Sequence, residues 1–151
     1  MGFFKTKINY NELVQTYANV VNFVYNDFQL QTIQNFEKID FLFNIYSSLY
    51  FGTADKLKRK LNTTYYINFS KDVCKILFGQ DIFDISYIET KLSTNWNRFF
   101  GDKKPVFSLL KFNLEKNHIF CSDETIMNYS IVLLNNINAT NNFLDDIKII
   151  N

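Results

Sequence analysis

The fold is decided first by residues 10–28, which read YNELVQTYANVVNFVYNDF. Apolar side chains recur there every three or four residues, from Leu13 to Phe28. This spacing places them on one face of an α-helix. A helix with one apolar face must bury that face against other elements, so the stretch predicts a helix inside a larger helical domain.

A second apolar stripe follows at residues 39–50, where Phe41 and Ile45 lie off the main face. A helix that is apolar on two faces belongs at the centre of a domain. The dipeptide Asn26-Asp27 predicts a break between the two stretches, and one continuous long helix is the alternative.

Glycines and capping residues mark the next boundaries. We expect Gly52 to end the central helix as a left-handed cap. A short charged helix should follow at 54–61, and residues 62–69 should be loop or extended chain. Three further helices are predicted at 71–78, 85–100 and 123–138. Ser70, Asp84 and Ser122 should cap their starts, in that order. Gly79 and Gly101 should end the first two, and a loop at 138–142 should follow the third.

The stretch 105–121 fits two structures. Pro105 suits the first turn of a helix, which predicts a helix from Pro105 to Lys116. Apolar and polar residues alternate from Leu110 to Leu114, which instead favours a small β-hairpin near 110–121. The sequence leaves both open.

The chain of 151 residues is about one domain long. Its composition, with 47% hydrophobic and 21% charged residues, is ordinary for a globular protein. No linker or repeat divides it. We therefore predict a single mainly α domain over 1–151, an irregular bundle of about five to seven helices with at most one small hairpin.

Composition also indicates a source and a compartment. The chain has 20 Asn, 17 Phe and 16 Ile but only 2 Arg among its 16 basic residues, which fits an AT-rich genome of bacterial or phage type. Cys74 and Cys121 are predicted to be free thiols, as in a reducing compartment. No signal peptide or spanning segment is apparent, so we expect a cytoplasmic protein without a membrane partner.

The charge and the glycines argue against two classes of ligand. The formal net charge is +1, whereas a domain that grips a nucleic-acid backbone carries a clear basic excess. The four glycines stand apart from one another, so there is no glycine-rich loop for the phosphates of a nucleotide. Nucleic acid is therefore an unfavoured partner, and no cofactor is predicted.

No catalytic or metal centre is predicted either. His118 is the only histidine in the sequence. A structural zinc site needs four ligands, and His118 and Cys121 would supply only two of them. The same pair lacks the third group that would orient a thiolate and its base. Paired carboxylates such as Asp123 and Glu124 stand at helix starts, where capping and the helix dipole explain them.

Two segments are candidate contact surfaces. The helix 85–100 should bury the stripe Ile85, Ile88, Leu92, Trp96 and Phe99. Arg98 and Phe100 fall off that stripe and are residue types suited to an interface. The second segment is the run of basic residues at 56–60, which we call the basic run. Its candidate contact residues are Lys56, Lys58, Arg59 and Lys60.

These observations favour a non-catalytic module that binds another macromolecule, in the manner of small inhibitors, immunity proteins and regulators. A protein is the expected partner, and a homodimer is a further alternative. The second hypothesis is a helical protein that encloses a small apolar ligand among its aromatic side chains. The third is an enzyme with an unfamiliar site.

Overall fold

A computed structural model describes residues 5–29, 37–79 and 84–150. In these ranges the chain forms a mainly α bundle with a small two-stranded sheet, which confirms the predicted fold class. The elements in chain order are β1 (Thr6–Asn9), α1 (Tyr10–Gln29), α2 (Lys38–Lys60), α3 (Thr63–Phe78), α4 (Ile85–Phe100), α5 (Pro105–Lys116), α6 (Asp123–Asp146) and β2 (Ile147–Ile150).

α2 is the central helix of the bundle and contacts each of the other five described helices. Every residue from Phe41 to Leu49 is buried, as expected for a helix that is apolar on two faces. α1 packs its predicted face, including Leu13 and Phe28, into the same core. The two stretches are separate helices, as the predicted break implied, but α1 continues through Asn26-Asp27 to Gln29 and α2 begins at Lys38. Residues 30–36 lie outside the described ranges.

Gly52 does not end a helix; it lies inside α2, which continues to Lys60. A Cβ atom at Gly52 would lie 2.7 Å from Cγ2 of Ile137 on α6. The absence of a side chain therefore lets α6 cross close to α2. The predicted short helix 54–61 is the last part of α2, and Asn141 of α6 donates a hydrogen bond to the Gly52 carbonyl over 3.1 Å.

The predicted loop at 62–69 is also wrong. The side chain of Asn62 accepts a hydrogen bond from the Tyr65 amide, and α3 begins at Thr63. Tyr65 stacks on Tyr10 with ring centroids 4.1 Å apart, so tertiary packing overrides the strand propensity of this stretch. Ser70 lies inside α3, and its hydroxyl forms a 2.7 Å hydrogen bond with the Tyr46 hydroxyl. Gly79, in the left-handed conformation, ends α3 as predicted.

The caps of α4 and α6 are confirmed, because Asp84 and Ser122 accept hydrogen bonds from the amides three residues on. α5 confirms the helical alternative, and the hairpin near 110–121 is wrong. The end of α5 closes in a Schellman motif, in which the amides of His118 and Ile119 donate to the carbonyls of Glu115 and Leu114. His118 takes the left-handed position with φ 60°.

α6 continues to Asp146, beyond the loop predicted at 138–142. Ile137, Thr140 and Leu144 are all buried, so the inward stripe of the helix extends through the predicted loop. β2 then pairs in parallel with β1 in the register Thr6↔Ile147 to Asn9↔Ile150.

Candidate functional site

An aromatic cluster joins α2 to α4 on one side of the bundle. Phe51 lies at its centre, with ring centroids 5.2 Å from Trp96, 5.5 Å from Phe99 and 5.7 Å from Phe100. The Trp96 and Phe100 rings are themselves 4.3 Å apart. The four rings support one another, so their positions are set by packing within the folded chain.

The cluster has a buried half and an exposed half. Phe51 and Phe99 are each 6% exposed, whereas Trp96 is 49% and Phe100 53% exposed. The prediction that Trp96 belongs to the buried stripe of α4 is therefore wrong. Two large aromatic surfaces face solvent side by side above the buried rings of Phe51 and Phe99.

Asn95 takes the inward position that was expected for Trp96. The inward face of α4 passes through Ile88, half-buried Leu92, Asn95 and Phe99, while nothing is described for the side chain of Ile85. Asn95 is buried and donates a 2.9 Å hydrogen bond to the Ser47 hydroxyl of α2. The helical spacing of apolar residues predicted that Trp96 faces inward. The hydrogen bond from Asn95 to Ser47 on α2 turns Asn95 inward instead and leaves Trp96 at the surface.

Asn95 is part of a buried polar network that sequence reasoning missed. Asn113 of α5 donates over 2.7 Å to the side-chain oxygen of Asn44 and over 3.4 Å to that of Asn95. Among the residues that the structure describes, Nδ2 of Asn44 and the hydroxyl of Ser48 have no hydrogen-bond partner. The network contains amides and hydroxyls and no acid or base, so it positions α2, α4 and α5 and supplies no proton transfer.

Three cavities that share lining residues form one groove beside the aromatic cluster, which we call the α2–α4 groove. Their volumes are about 200, 560 and 410 Å³, taken from the α3 end towards Phe100. The first two share Tyr50, Tyr66, Glu89 and Leu92, and the last two share Phe51, Ala54, Asp55 and Trp96.

The floor of the groove is neutral. Burial and a hydrogen bond with Tyr66 raise the pKa of Tyr50, so its hydroxyl stays protonated near neutral pH. Phe51 and Leu92 supply apolar surface beside it. A ligand in the groove therefore meets apolar area with hydroxyl groups at one end.

Two residues of the basic run are held within the fold. The Lys56 ammonium lies 2.7 Å from the Asp145 carboxylate of α6, and it holds the pKa of that carboxyl below its usual range. The Lys60 ammonium donates to the carbonyl of Ile147 over 2.7 Å. These two lysines tie the end of α2 to the end of α6 and to β2.

Lys58 and Arg59 are the outward residues of the run, and both are exposed. Lys58 lines the middle of the α2–α4 groove and Arg59 its Phe100 end. Nε of Arg59 donates to the Asp55 carbonyl over 3.2 Å, which holds the guanidinium close to α2. The structure thus places Phe100, Lys56 and Arg59 around one cavity.

Arg98 lies on a different face. Its guanidinium carbon is 4.4 Å from the ring centroid of Phe112 on α5. There it lines a separate open groove of about 670 Å³ together with Lys111 and Glu115. Arg98 and Phe100, which are close in sequence, therefore line different grooves.

The residues considered for chemistry differ in their exposure and in the pKa of their side chains. Both cysteines are free, and burial raises the pKa of Cys74 to about 12 and that of Cys121 above its usual range. His118 is exposed in the turn after α5. Across 5–29, 37–79 and 84–150, no three His, Cys, Asp or Glu side chains are grouped to hold a metal ion.

Comparison of the chain with protein-family models, curated proteins and solved structures found no match. Within the described ranges, no helix has both the length and the apolar character needed to cross a bilayer.

Proposed function

We propose that this protein is a non-catalytic interaction module of the inhibitor, immunity or regulator type, and that it binds a protein through the α2–α4 groove. The observation that carries the proposal is the pair of half-exposed rings, Trp96 and Phe100, at the edge of that groove. Tryptophan is among the residue types that dominate the energy of protein interfaces. Exposed adjacent aromatics on a monomer surface mark such interfaces.

The packing beneath the exposed rings supports the same function. Phe51 and Phe99 pack beneath the exposed rings, so binding need not order them from a mobile state. A side chain that is already held in place loses less entropy when it binds.

The charge near the groove suits a protein better than a polyanion. Of the four candidate basic residues, Lys56 and Lys60 are engaged within the fold, which leaves Lys58 and Arg59 facing outward. Two cations are enough for a few contacts at the rim of an interface but few for tracking a nucleic-acid backbone. The two free thiols suit a reducing compartment, so the proposal includes the cytoplasm.

The test compares two exposed aromatic positions. Trp96→Gln alters the proposed face, and Phe23→Gln is the matched control because Phe23 is 62% exposed on α1. Tagged versions are expressed in the protein's own cells, the partner of the wild type is identified, and its affinity is measured by calorimetry. We expect Trp96→Gln to weaken binding by about 2 kcal/mol or more and the control to leave it unchanged.

Melting temperatures of both variants establish that they are folded. Equal partner affinity for wild type and Trp96→Gln would refute the assignment of this face. Phe100→Ala serves as the second variant if Trp96→Gln unfolds, since Phe100 is the more exposed ring.

A further inference from the structure

We infer that the α2–α4 groove receives an amphipathic helix of a partner protein, with acidic residues along the edge that faces α2 and α3. This inference rests on the proposed function and specifies the chemistry of the partner.

The length of the groove matches a short helix. Its lining on α4 extends from Ile88 to Phe100. At 1.5 Å per residue this is about 18 Å, or roughly three turns of a helix lying alongside. Three turns are enough to present apolar anchors at positions i, i+4 and i+7.

The walls exclude the main alternative mode of peptide binding. They are formed by α2, α3 and α4, with Asn141 of α6 at the Phe100 end, and the backbone groups of these elements are engaged within the helices. An added β-strand needs a row of unpaired backbone groups, which these walls do not offer. Apolar side chains lie at both ends instead, with Ile67 66% exposed at the α3 end and Phe100 at the other.

The charges of the two walls differ. The α2 and α3 wall presents Lys71, Lys58 and Arg59, together with Lys56 that is paired with Asp145, against one acidic residue, Asp55. The α4 wall presents Glu89 as its charged residue. The basic excess on one side is complementary to carboxylates along one edge of a bound helix.

The same charges disfavour a second copy of this chain as the occupant. In a two-fold symmetric dimer the same patch meets itself, so Lys58 and Arg59 would approach their counterparts wherever they lie near the two-fold axis. Like charges brought together across an interface cost free energy. A partner of opposite charge relieves this repulsion.

The experiment uses the full chain and the partner identified above. Lys58→Glu and Arg59→Glu reverse the charge at the groove, and Lys116→Glu is the control because it lies in the separate groove beside Arg98. We expect each groove variant to weaken partner affinity about tenfold at low salt, with a smaller difference at 0.5 M salt, where charges are screened. The control should bind as the wild type does.

A photo-crosslinking residue at Ser93, which lines the groove, identifies the bound segment. A synthetic peptide of that segment should gain helicity by circular dichroism when the protein is added. Crosslinking to an extended or basic segment, to a lipid or to a second copy of this chain would overturn the inference, as would unchanged affinity in both charge reversals. If binding depends on Trp96 but the segment is not an acidic helix, the proposed function stands and this inference fails.

Discussion

Replacing Gly52 by alanine tests the close approach of α2 and α6. The new Cβ would lie 2.7 Å from Cγ2 of Ile137 and 3.2 Å from its Cδ1. Both distances are shorter than the separation of about 3.5–4.0 Å at which carbon atoms attract each other best. Ile137 is buried at 5% exposure and β-branched, so its Cγ2 has little freedom to move aside.

Two opposing terms decide the size of the effect. Alanine is favoured over glycine inside a helix by about 1 kcal/mol. An extra methyl group in a packed core costs about 1–3 kcal/mol. We therefore expect Gly52→Ala to lower the free energy of unfolding by about 1 kcal/mol, which is a fall in melting temperature of about 2–4 °C for a chain of this length.

The assay is chemical denaturation of Gly52→Ala in two backgrounds. Ile137→Ala alone should cost about 2–4 kcal/mol because it removes buried methyl groups. In that background the clash is gone, so Gly52→Ala should now stabilise the protein by about 1 kcal/mol through helix propensity. The change of sign between backgrounds identifies the contact. If Gly52→Ala stabilises the wild type as much as it does the Ile137→Ala variant, the reasoning is refuted.

Three further predictions follow from local geometry. His118→Gly should raise the free energy of unfolding by about 0.5–1 kcal/mol in urea titrations, because glycine adopts the left-handed conformation of this position without strain. A loss of stability would mean that the imidazole itself makes a stabilising contact. Asn113→Ala should cost about 1–3 kcal/mol by the same method, since it leaves the oxygen of Asn44 buried without its donor, and a cost below about 0.5 kcal/mol would contradict the network. In thiol titration, both cysteines should react in the unfolded, unreduced protein. In the native protein Cys121 should react much faster than Cys74, because burial raises the pKa of Cys74 to about 12. Equal reaction rates of the two thiols in the native protein would contradict this burial.

Features set by neighbouring residues were predictable from the sequence. Asp84 and Ser122 cap their helices through amides three residues away, and α1 follows the spacing of its apolar residues. Gly52 misled the prediction because a glycine signals a helix end or a close helix crossing equally well in sequence. The choice between the two depends on Ile137, which lies on another helix.

The candidate site was predictable in part. The residue types at Phe100 and in the basic run pointed to this side of the molecule, but the role of each residue depends on distant partners. Lys56 is engaged by Asp145, and Arg98 is drawn to Phe112 on α5. The exposure of Trp96 follows from a buried asparagine next to it, a pattern that helix periodicity does not anticipate.

The pairing of β1 with β2 has a mechanical consequence. The strands are parallel, so a load applied at Lys5 and at Ile150 pulls them in opposite directions along their length. The hydrogen bonds between them are then sheared together and are not opened one after another. The six helices of the described ranges lie within the loop that this pair closes, and they carry no tension until the pair breaks. A strand pair of four residues on each side thus acts as a clamp that shields the helical bundle from force.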